Sequence, residues 1–153
     1  MNEQLRFLRA FFWLLGIFTV GRWALGLAGA RYEASHQVFS IVILAVLASV
    51  HHAAFARAFL GYRLKRAAML GVWIGLSSQL VIFVSTAASY LLGLDTFFNT
   101  PQALNTTEPV AFGAAMGARA GSLVVNTIIN AVAAAIGYAL GAALPRATAS
   151  SSS

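Results

Sequence analysis

Arg22 interrupts an apolar run at about residues 10–30, and a guanidinium in that setting is a candidate anion-binding group. An arginine near the centre of a membrane span costs about 2.5 kcal/mol or more, so its position has to be compensated. Compensation takes one of two forms. The side chain turns to the nearer interface beside Trp23 or bonds free carbonyls, or it faces an outward cavity where Arg119 and Asn126 help it hold an anion.

Other polar residues interrupt three further apolar runs, and a rise of 1.5 Å per residue sorts them into two layers. Roughly 10 Å below one face come Arg22, Ser85, Thr86 and Asn126, with Arg119 at the rim. Roughly 20 Å down come His52, Ser78 and Gln79, with Asn130 between the layers. The outer set, Asn130 included, is the candidate ligand site. The inner set has no evident ligand, and Ser, Thr and Asn at such depth also serve as glue between helices.

His51 and His52 raise the question of haem or a metal ion. Neighbours on a helix point about 100° apart, so the pair cannot ligate one ion in regular geometry. A second haem ligand at matching depth is missing within one chain, because His36 falls near the opposite surface. His52 instead shares a face with Ala45, Ala48, Ser49 and Ala56, as a hydrogen-bonded packing residue would.

Several chemistries lack their residues. No Asp or Glu lies inside any apolar run, which removes the usual proton or sodium coupler of secondary transporters and the first-helix carboxylate of small multidrug transporters. Without cysteine there is no thiol nucleophile, zinc–thiolate site or disulfide. There is no Gly-rich phosphate loop, HExxH motif or acid/base carboxylate pair. The expectation is a non-enzyme with no cofactor.

The elements that position these residues are helical. The 153 residues are 59% hydrophobic and 9% charged, where a soluble domain carries about 25% charged residues. Four runs reach the roughly 20 apolar residues that a membrane-crossing helix needs: about residues 10–30, 38–60, 67–94 and 118–144. None alternates as a barrel strand does. The expected fold is an all-α, integral membrane four-helix bundle over residues 1–146, followed by a disordered Ser-rich tail at 147–153.

Pro145 stops the fourth run, and residues 61–66 make a tight hairpin between the second and third. Residues 95–117 form a longer loop, in which Thr107-Glu108-Pro109 reads as a helix start. From there the fourth helix either begins early and projects, or residues 110–118 form a separate surface helix.

A formal net charge of +6 suggests nucleic acid in a soluble protein, but these basic residues flank apolar runs. They point instead to orientation and anionic headgroups. Arg6, Arg9, Arg57, Arg63, Lys65, Arg66 and Arg146 gather on one side, which places both termini in the cytoplasm. The expected location is the bacterial inner membrane. Arg57, Arg63, Lys65 and Arg66 then form a basic end for lipid or an acidic partner. Ala28-Gly29-Ala30 resembles a signal-peptidase site, but Arg22 would fall between it and the apolar core.

Small residues mark the packing faces. Gly71, Gly75, Ser78, Ser85 and Ser89 share a face of the third helix. The fourth carries Gly113, Gly117 and Gly121 on one side and Arg119, Ser122, Asn126, Asn130, Ala133, Gly137 and Gly141 nearly opposite. Small residues on two sides predict two neighbours. The expected role is an accessory subunit or self-associating module in a homo-oligomer or larger complex. The alternative is a facilitator or channel for a small solute or anion, with an outward cavity lined by helices one, three and four.

Overall fold

Ser40 and Gly61 bracket one long helix and show how local chemistry divides the chain. The Ser40 hydroxyl accepts the Ile43 N–H, and Gly61, at φ 64°, ends the helix in the left-handed conformation that a side chain would resist. The computed structural model describes residues 6–144; the expected stop at Pro145, Arg146 and the tail at 147–153 lie outside them. Within the described residues the fold is all helical, with α1 (Arg9–Leu27), α2 (Tyr32–Ser35), α3 (Ile41–Leu60), α4 (Leu64–Leu91) and α5 (Phe112–Leu140), plus a 3-10 turn at Pro101–Leu104. The four long helices have the length and apolar composition to cross a membrane.

The hairpin between α3 and α4 is shorter than expected, because α4 already starts at Leu64. Tyr62 is buried there, and its N–H donates back to the Ala56 carbonyl. At the other end, α5 is one continuous helix capped by Ala111, so neither a separate surface helix nor a Thr107 cap forms. Its 29 residues span about 43 Å, more than the roughly 30 Å of hydrocarbon.

The core is a three-helix unit of α3, α4 and α5, closed by glycines that let backbones meet. A Cβ on Gly71 would strike the Asn130 carbonyl, and one on Gly75 would come within 2.9 Å of the Asn130 Cβ. Gly137 and Gly141 of α5 take the α3 backbone at Val50 and Ala54 in the same way. Close approach of this kind, through small residues, is how helices associate where lipid supplies no hydrophobic drive.

By contrast, α1 leans on α3 and α4 through Phe11, Leu15 and the preceding Leu8, and no other residue of the helix is buried. Phe39, held at φ 52°, lays its ring over Gly21 and meets Phe18 edge-on at 5.6 Å.

The long loop after α4 is part of the core. Phe97 and Phe98 are 2% and 1% exposed, and the loop backbone at Thr96 and Phe97 closes on Gly26 of α1. A local network sets this conformation. Asn99 accepts the Thr96 N–H at 2.9 Å and donates to the Leu94 carbonyl at 3.0 Å, while Thr96 Oγ1 lies 2.7 Å from Ser89 Oγ.

Candidate functional site

The tucked loop brings Arg22 and Arg119 onto one phenylalanine. Arg22 donates to the His36 carbonyl at 3.2 Å and to the Tyr32 hydroxyl at 3.4 Å. Its Cζ lies 5.6 Å from the Tyr32 ring centroid and 5.7 Å from those of Phe97 and Phe98, an aromatic box for a cation. Arg119 reaches across from α5, donating through Nε to Thr86 Oγ1 at 3.1 Å and through Nη2 to the Phe98 carbonyl at 2.8 Å. Arg22 and Arg119 both line a pocket of about 150 Å³ that also meets Tyr32, His36 and Ser40. Ile41 and Ile82 face it from the bundle.

The remaining residues of the expected ligand site fall elsewhere. Ser85 is buried, and its carbonyl accepts the Ser89 hydroxyl. Asn126 donates to the Ser122 carbonyl one turn back, at 3.0 Å. Asn130 is 1% exposed, with Oδ1 accepting the Ser49 hydroxyl at 2.8 Å and Nδ2 donating to the Asn126 carbonyl at 2.8 Å. It therefore ties α3, α4 and α5 together, about 16 Å along the helix from Arg119. The Arg119–Asn126–Asn130 face meets other helices and is not a continuous cavity wall.

The inner layer is a set of separate side chains. His52 donates through Nδ1 to the Ala48 carbonyl at 2.8 Å and meets the Phe7 ring edge-on. Ser78 donates to the Ile74 carbonyl, and Gln79 is buried with Nε2 unpartnered. The His51 and His52 rings stand at 88° to each other, with His51 exposed. Among the described residues no three metal-ligating side chains of His, Asp or Glu come together.

At the hairpin end, Arg57 is engaged within the protein. Nη1 donates to the Tyr138 carbonyl at 2.8 Å, and Cζ lies 4.3 Å from the Tyr138 ring centroid. It thus closes the end of α5, as a cation does at a helix C-terminus. Arg66 covers Tyr62, with Cζ 4.5 Å from that ring, and Arg63 and Lys65 are exposed.

No family model, curated protein or solved structure matches this chain.

Four residues of the pocket escaped the sequence reading as ligand candidates: Tyr32, His36, Ser40 and Phe98. Tyr32 and His36 follow α1 in a connection with no apolar run to mark it, and Ser40 sits at the start of the second run, where it reads as a helix cap. Phe98 had a local signal in Thr96-Phe97-Phe98-Asn99, where Thr and Asn flank two aromatics and can fold a turn on their own side chains.

Proposed function

We propose that the chain is a multi-pass protein of the bacterial inner membrane, with both termini in the cytoplasm, that works by helix packing rather than catalysis. It acts as a self-associating module, and a second copy of this chain packs on the free face of α5. One observation carries this reading. The chain has three sets of glycines at four-residue spacing in its long helices, and two of them, Gly71 with Gly75 and Gly137 with Gly141, each receive a neighbouring backbone. The third, Gly113, Gly117 and Gly121, has open space where each Cβ would be. A helix surface shaped for close approach gains little against lipid tails, which fill such grooves poorly compared with another helix.

The absence of cysteine makes the test clean. At 100° per residue Ala120 lies on the glycine face and Ile129 well away from it. Oxidation of Ala120→Cys in membranes should give a disulfide-linked dimer and Ile129→Cys should not, while Gly117→Ile should lower the native mass in mild detergent. A monomeric wild-type mass together with no cross-link at Ala120 would sink the proposal.

A further inference from the structure

We infer that the Arg22–Arg119 pocket binds a phosphate group. Each guanidinium has five N–H donors and uses two of them on protein acceptors, so three on each have no protein partner. Arg22 Nε and Arg119 Nη1 bond nothing in the protein, and neither is among the buried side-chain atoms left without a partner in the described residues, so both reach solvent. The Tyr32 hydroxyl accepts from Arg22 and keeps its own proton to donate. The Ser40 hydroxyl accepts from a backbone N–H and likewise keeps its proton. The pocket is thus rich in donors, and every hydrogen bond the two arginines make inside the protein goes to a neutral oxygen.

Two like charges on one small cavity repel unless an anion lies between them. A volume of about 150 Å³ matches roughly five waters, room for one tetrahedral oxyanion. A carboxylate presents two oxygens and is satisfied by one guanidinium fork. A phosphate presents three or four and can take both forks with a hydroxyl besides. The site also lies where direct packing is thin, since α1 rests on α3 and α4 rather than on α5. A bound phosphate joins α1 to α5 across that gap.

The phosphate can belong to a free anion or to a lipid headgroup, and two arms separate these sources. Full-length protein in a lipid-free detergent is titrated with sodium phosphate against sodium chloride and sodium acetate at equal ionic strength. The same protein is then titrated with phosphatidic acid against diacylglycerol in mixed micelles. Thermal midpoint and the fluorescence of Trp23, whose ring lies 5.9 Å from that of Phe98, report binding. Saturable binding of inorganic phosphate marks a free-anion site, and saturation by phosphatidic acid alone marks a headgroup site. Arg22→Gln and Arg119→Gln should each weaken binding by roughly tenfold or more, and Thr127→Ala, whose hydroxyl bonds the Leu123 carbonyl two turns away from Arg119, should leave it unchanged. The selectivity of the wild-type protein tests the idea even if a variant misfolds. Phosphate no better than chloride or acetate, with phosphatidic acid no better than diacylglycerol, overturns the proposal. Wild-type affinity in a folded double Gln variant overturns it equally.

Discussion

Gly71→Ala and Gly16→Ala are the same chemical change in two long helices, and they should move stability in opposite directions. At Gly16 a Cβ meets nothing within 4 Å, so the substitution only removes backbone freedom from the unfolded chain and adds about 0.5–1 kcal/mol. At Gly71 the same atom runs into the Asn130 carbonyl oxygen and lies 2.7 Å from the Ala134 Cβ. One obstacle is backbone and the other is a Cβ, so no rotamer change clears the space and α4 and α5 must part. Overpacking of this kind costs about 1–3 kcal/mol, and the rigid obstacles put it near the upper end. Less the propensity gain, Gly71→Ala should lose about 2 kcal/mol, which lowers the thermal midpoint by about 4–8 °C in a chain of this size. Unfolding by SDS in mixed micelles, followed by tryptophan fluorescence and far-UV circular dichroism, compares both variants under one condition. If Gly71→Ala proves as stable as Gly16→Ala, the two backbones do not approach as described.

Three further outcomes follow from particular contacts. Ser49→Ala and Asn130→Ala in a double-mutant cycle should couple by about 0.6 to 1.7 kcal/mol in SDS unfolding, and strict additivity would mean that the hydroxyl and amide do not bond. Arg57→Gln should fray the end of α5 near Tyr138, read as faster amide exchange there than in wild type; unchanged exchange would return Arg57 to the role of a free lipid anchor. For orientation, Lys65→Cys should resist a membrane-impermeant maleimide in intact cells while Asn105→Cys reacts, and labelling in the reverse order would invert the topology.

How much of this could be read from the residues depends on the distance over which each signal acts. Apolar run length is a local property of the chain, so the four long helices stood out without any knowledge of their neighbours. The glycine spacing marked close packing, but not which face meets which partner. Gly71 and Gly113 look alike along the chain, and only the fold shows one filled and the other bare. The outer polar set divided for the same reason. Arg22, Thr86 and Arg119 gather because the loop folds Phe98 between them, whereas Asn126 bonds along its own helix and Asn130 bonds Ser49 of α3. The Thr107 cap does not form because Thr107 and Glu108 lie in a bend, held by Thr106 donating to the Glu108 carbonyl, and α5 starts at Phe112 without a side-chain cap.

At Arg22 the cost of placing a guanidinium in an apolar helix and the energy of holding an anion are separate quantities. A central arginine costs about 2.5–3.5 kcal/mol on insertion scales. Three aromatic rings at about 0.5–1 kcal/mol each, with two hydrogen bonds to neutral oxygens at about 1 kcal/mol each, return at least as much. The position also lies only five residues from the end of α1, where part of the cost is relieved by water. Arg22 therefore needs no anion in order to fold. A residue held only for its own compensation has no use for three further donors, or for a second guanidinium facing the same cavity. Folding and occupancy of the pocket are thus separable, and Arg22→Gln should keep the bundle within about 1 kcal/mol while losing the phosphate.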